Sequence, residues 1–134
     1  MKKLFYFILM VVLVTACNDD EVTPKAKIAA NNGSSVVLTV KKLAGNQDTL
    51  IMVYGVNGAQ YFKKTIADSI VLDTAFAPGT IITLDCEIRN SIGQYVTSAY
   101  RFTKITKSDG TIAAGHTCSN GKLNCSVFCS YTVE

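Results

Sequence analysis

The stretch Thr80–Arg89, TIITLDCEIR, places Ile82, Leu84, Cys86 and Ile88 on one side and Thr83, Asp85, Glu87 and Arg89 on the other. A period of two belongs to a β-strand with one buried face, and the 3.6-residue repeat of a helix does not share it. The same pattern recurs every ten or so positions. Val36–Lys42 alternates, with Val36, Leu38 and Val40 opposite Thr39 and Lys41. Thr49–Val56, TLIMVYGV, is apolar on both faces, as expected of a central, covered strand. Asn57-Gly58 tolerates positive φ at both positions and folds Tyr61–Ile66 back as a hairpin. Asp68–Thr74 reads as a further strand, with turns at Ala77-Pro78-Gly79 and at Asn90-Ser91-Ile92-Gly93. Gln94–Lys107 returns as a long strand whose alternation slips near Tyr100–Phe102, as it would at a bulge. A strand around Lys27–Ala30 brings the total to about seven, a pattern of short strands and regular turns that indicates an all-β sandwich or barrel.

The amino end follows other rules. Lys2 and Lys3 precede an apolar run, Leu4 to Ala16, interrupted only by Thr15. As a helix this run is about 20 Å long, while a bilayer core needs about 30 Å, so it matches a secretory h-region better than a membrane span. It ends in VTAC, Val14 to Cys17, which resembles the lipobox of bacterial lipoproteins. That resemblance implies a diacylglyceryl group on the Cys17 sulfur, cleavage just before it, and acylation of the new amino terminus. Stable anchoring takes more than one acyl chain, and a triacylated cysteine meets that condition. Asn18-Asp19-Asp20-Glu21 then begins a solvated tether that runs to about Lys25. The acidic tract resembles the export signal of surface-exposed lipoproteins in one group of Gram-negative bacteria. It implies an outer-membrane address facing outward, with a plain charged spacer and a periplasm-facing protein as the alternative.

These readings divide the chain into a signal peptide at 1–16, an acidic tether at 17–25, a sandwich domain at 26–107 and a Cys-rich extension at 108–134 packed on the sandwich. Loss of residues 1–16 removes two of thirteen basic residues, leaving eleven against ten acidic and a mature charge near +1. Such a balance gives no electrostatic case for nucleic acid. Within the domain, SIVLDTAFAPGTIITLDCEIRNSIG, Ser69 to Gly93, resembles the last third of a fibronectin type III or related immunoglobulin-like domain. Pro78-Gly79-Thr80 and the pair Asn90 and Gly93 carry the likeness. Ile82 stands where that family has a corner tyrosine.

With Cys17 lipidated, Cys86, Cys118, Cys125 and Cys129 remain. An oxidising compartment makes two disulfides the first expectation, with three possible connectivities. Cys86, on a core-facing row, would clamp the tail through one of the other three, leaving two to close a loop within CSNGKLNCSVFC. His116 lies two residues before Cys118, but gaps of six and three residues between the later cysteines fit zinc spacing poorly.

No catalytic set is legible, and neither a metal nor a cofactor is expected. His116 is the only histidine, and no G-x-S-x-G element accompanies it. Asp85 and Glu87 lie about 7 Å apart along one strand face, within the range of some glycoside hydrolases, and an ordinary polar strand face looks the same. Tyr61, Asn57 and Tyr95, with the loops LAGNQD, VNGAQ and RNSIGQ, are the candidate binding surface for a protein or glycan partner. The sequence thus points to a lipid-anchored envelope protein that binds or supports a partner without catalysis. The alternatives are a small inhibitor or immunity lipoprotein acting on a toxin or hydrolase, and a hydrolase built on the Asp85/Glu87 face.

Overall fold

The alternating rows become eight strands in a computed structural model that describes residues 33–123 and 125–134. The signal segment, Cys17, the tether and the strand expected at Lys27–Ala30 lie outside the described residues. In chain order the strands are β1 (Ser34–Lys42), β2 (Thr49–Val56), β3 (Ala59–Thr65), β4 (Ser69–Phe76), β5 (Ile81–Arg89), β6 (Arg101–Lys107), β7 (Ile112–Cys118) and β8 (Cys129–Thr132). They form two four-stranded sheets, β4-β1-β6-β7 and β3-β2-β5-β8, with every pairing antiparallel.

The sheets face one another across the rows that the alternation marked. Val36, Leu38 and Val40 of β1 and Ile82, Leu84, Cys86 and Ile88 of β5 are buried, as are Leu50, Met52 and Ile105. Burial of such side chains contributes roughly 1.5–3 kcal/mol each, and the facing rows supply most of the core. The expected hairpin is present, with Asn57 at φ 49° and Gly58 at φ 88°. A two-residue turn fixes the register, so Val56 faces Ala59 and Tyr54 faces Tyr61.

The connections sort the molecule into two ends. The β2–β3 hairpin, the β4–β5 turn, the 108–111 hairpin and Ser34, the start of β1 and so the end nearer the tether in sequence, gather at one end, the tether end. At the opposite end four connections each cross from sheet to sheet: β1 to β2, β3 to β4, β5 to β6, and β7 to β8.

Two expectations need correction. Gln94–Lys107 is not one strand. Asn90 Oδ1 accepts N–H bonds from Ile92 (3.2 Å) and Gln94 (2.9 Å), turning the chain, and only an isolated bridge joins Arg89 to Tyr95. The residues up to Tyr100 must carry the chain to the other sheet, so β6 starts at Arg101 and the alternation slip at Tyr100–Phe102 marks a crossing. The bulge is elsewhere, where the β6–β7 register shifts between Ile105 and Thr106. The Cys-rich segment, in turn, supplies a strand to each sheet, β7 on one edge and β8 on the other.

Candidate functional site

Lys42 continues the core-facing parity of β1, and Arg101 that of β6; the two are register partners. Each is only 3% exposed. Lys42 Nζ donates to three backbone carbonyls, Asn46 (2.6 Å), Asp48 (2.5 Å) and Ile66 (2.6 Å). One ammonium, with its three protons used, therefore ties the β1–β2 connection to the β3–β4 connection. Arg101 does the equivalent for the other two connections. It donates to Thr97 O (3.2 Å), to Cys125 O (2.7 Å) and to the Tyr95 hydroxyl, and its guanidinium lies 5.3 Å from the Tyr95 ring centre. Gly121 N–H to Ser98 O (2.7 Å) adds a further tie between them. Neither buried cation has a carboxylate within ion-pair distance among the described residues, and Arg101 Nε has no partner. Burying two like charges side by side is costly, and carbonyl dipoles, with the Tyr95 hydroxyl and ring beside Arg101, offset it. The return is a set of four loops held in fixed relation.

Those loops carry exposed aliphatic side chains: Leu43 (49% exposed), Ile66 (72%), Ile92 (74%) and Leu123 (64%). The sequence reading missed both the buried cations and this apolar rim. Lys42 was legible in principle, because it shares parity with Val36, Leu38 and Val40.

The candidate binding trio is not brought together. Asn57 sits at the tether end, where its Oδ1 accepts the Ile81 N–H (2.8 Å). Tyr95 is at the far end, half-exposed and bonded to Arg101. Tyr61 faces inward and stacks on Tyr54, with ring centres 5.2 Å apart, as register partners of a two-residue hairpin must. Burial, with Tyr61 beside it, pushes the Tyr54 hydroxyl pKa up.

The cysteine expectation holds for one pair only. Cys118 and Cys125 form a disulfide across the β7–β8 connection, while Cys86 and Cys129 are free thiols in the core. Register explains why these two stay apart. Cys129 lies opposite Leu84, which puts Cys86 on the diagonal, typically about 7–8 Å away and longer than a disulfide allows. Cys129 Sγ instead meets Thr103 Oγ1 at 3.6 Å. Burial pushes the Cys86 thiol up to about 12, the nearby Arg101 charge offsetting this only in part. Because the folded pKa is raised above its ordinary value of 9.0, the unfolded chain loses its proton first. Stability should therefore decline as pH rises from about 9 toward 12. Neither thiol should react promptly with a disulfide reagent at pH 8 in the folded Cys17→Ser chain, and both should react once urea unfolds it. Prompt reaction while folded would contradict the burial.

The carboxylate row is engaged locally. Glu87 pairs with Arg89 at 2.8 Å, and Asp85 Oδ1 accepts the Cys86 N–H at 2.7 Å. His116 is exposed on edge strand β7, in a shallow groove with Phe102, Lys104 and Ile112. Among the described residues no three His, Cys, Asp or Glu side chains converge as a metal site would require.

Residues 1–18 match the family model described as the prokaryotic membrane lipoprotein lipid attachment site. No curated protein and no solved structure matches the chain. No helix among the described residues is long and apolar enough to cross a membrane. The attachment-site match supports a lipid-anchored lipoprotein of the bacterial envelope, held to its membrane through lipid on Cys17.

Proposed function

We propose that the protein is a non-catalytic binding module of the cell envelope, anchored at one end and working at the other. One observation carries this: β1 begins at Ser34 at one end, on the side of the chain that leads from Cys17, while the four cross-sheet loops with their exposed aliphatic tips lie at the opposite end. Anchoring at one pole leaves the other free to meet a partner, and loops on a rigid sandwich are the usual place for recognition. The acidic tract after Cys17 supports residence in the outer membrane, facing outward. The fold reading that accompanies this is immunoglobulin-like. Strands β8-β5-β2-β3 follow a G-F-C-C′ order and β1-β4 a B-E order, with β6 in the place beside β1 that a first strand usually takes.

A photo-crosslinking amino acid at position 92 or 112, in otherwise native full-length chains on living cells, tests the polarity. Position 92 lies on the far loops and 112 at the tether end of β7; both side chains are well exposed. Adducts, to protein or to lipid, are expected from 92 and not from 112. Equal yields, or adducts from 112 alone, would overturn the assignment of the working end.

A further inference from the structure

We propose that the far end docks on an anionic lipid bilayer, an inference that rests on that end being the working one. Strand order puts the four crossing connections in a line: β3–β4, β1–β2, β5–β6, β7–β8. Neighbouring strands are about 4.8 Å apart, so the line is about 14 Å long. Each connection contributes one exposed aliphatic side chain, Ile66, Leu43, Ile92 and Leu123 in that order. Between them lie small or polar residues such as Ala44-Gly45-Asn46 and Asn120-Gly121-Lys122. Single aliphatic tips on a ridge can enter the acyl boundary of a bilayer without moving the fold.

Charge at this end selects the kind of surface. Lys41, Lys63, Lys64 and Lys122 stand at the loop ends of their elements, and none is in an ion pair among the described residues. Beneath them Lys42 and Arg101 are buried without a counter-ion, and a buried charge projects its field outward with little screening. The acids nearby are fewer than the cations: Glu87 is paired with Arg89, and Asp48, Asp68 and Asp85 remain against the four lysines and the two buried cations. At the tether end lie Asp73, Asp109 and Glu134, and the cation there, Lys107, is paired with Glu134, so the molecule is polarised along its length. An anionic headgroup layer over an apolar interior complements both the lysines and the aliphatic tips.

Two other occupants fit less well. A second copy docked end to end would set these lysines against themselves. A protein partner is usually gripped by aromatic and arginine anchors, whereas the most exposed side chains of these connections are Ile66, Ile92 and Leu123, ahead of Phe128 and Tyr95, and Tyr95 is held by Arg101. The loops are already fixed by the Lys42 and Arg101 cages, so little ordering entropy is lost on docking. Chain length permits the contact with the anchoring bilayer itself. Cys17 to Ser34 reaches at most about 60 Å, twice the roughly 30 Å length of β1.

The test is sedimentation of the mature chain, with Cys17→Ser to remove the lipid, alongside vesicles of phosphatidylglycerol and phosphatidylethanolamine in equal parts or of phosphatidylcholine alone. Binding should favour the anionic vesicles and fall steeply between about 0.05 M and about 0.5 M salt. Ile92→Asp and Leu43→Asp should each weaken it by about tenfold or more, and Ile112→Asp should leave it within about twofold. Both tips are exposed, and urea unfolding of each variant checks that the fold is kept. No sedimentation, or equal binding to the uncharged vesicles, overturns the bilayer as ligand. If position 92 then crosslinks a protein, the working-end assignment stands and the lipid inference falls. Loss with Ile112→Asp rather than Ile92→Asp overturns both.

Discussion

Replacing Lys42 with methionine is expected to lower the unfolding free energy by about 3 kcal/mol or more, measured by urea denaturation of the mature Cys17→Ser chain. Methionine keeps the apolar stem, so the loss isolates the ammonium. Three carbonyls, on Asn46, Asp48 and Ile66, lose their donor together. An orphaned buried polar group costs roughly 1–3 kcal/mol, and relief of the buried charge returns part of that total. Loosening should be local first. Amide exchange is expected to accelerate in the 43–48 and 66–68 connections well before the core strands respond. The cross-strand placement of Lys42 and Arg101 adds a sign that simple packing would not give. Each single change to methionine relieves their mutual repulsion, and the double change can relieve it only once. The double variant should therefore lose more stability than the two single losses added together, by something of order 1 kcal/mol. A Lys42→Met chain as stable as the parent would mean that the cage does not hold the loops.

What was legible in the sequence follows from where side-chain parity decides the outcome. The rows Val36/Leu38/Val40 and Ile82/Leu84/Cys86/Ile88 have an apolar member at every second position, and they became the facing core rows. Asn57-Gly58 fixed its hairpin because both residues adopt positive φ at low cost. Parity was silent in the Cys-rich segment. IAAGHTC mixes small and polar residues on an edge strand, and β8 has four residues, too few to show a period. These strands exist because β6 and β5 offer them ladder partners, a tertiary cause with no local signature. The cysteine pairing depended on register in the same way, since an even number of thiols cannot reveal that Cys129 lies opposite Leu84. The far-end rim escaped notice because Leu43, Ile66, Ile92 and Leu123 lie 23 or more residues apart, except where strand order draws them into line. Tyr61 misled for the opposite reason: an aromatic beside a turn looks available, and its hairpin register had already committed it to Tyr54.

The anchor carries the largest expected effect. A burial of about 0.8 kcal/mol per CH₂ makes several acyl chains effectively permanent at a membrane, whereas four aliphatic tips and a few lysines give a contact that salt dissolves. Full-length protein in cell fractions should therefore stay with membranes through a wash at about 0.5 M salt, and the Cys17→Ala chain should come off. An uncleaved signal segment could hold that variant by its own apolar run, so fractionation needs a chemical companion. Metabolic labelling with a clickable fatty acid reads the covalent bond itself. The native chain should take up label, with a mobility shift that marks removal of residues 1–16, and the Cys17→Ala chain should take up none. An unlabelled native chain, or equal label on the Cys17→Ala chain, would contradict the lipid anchor and with it the division into an anchored and a working end.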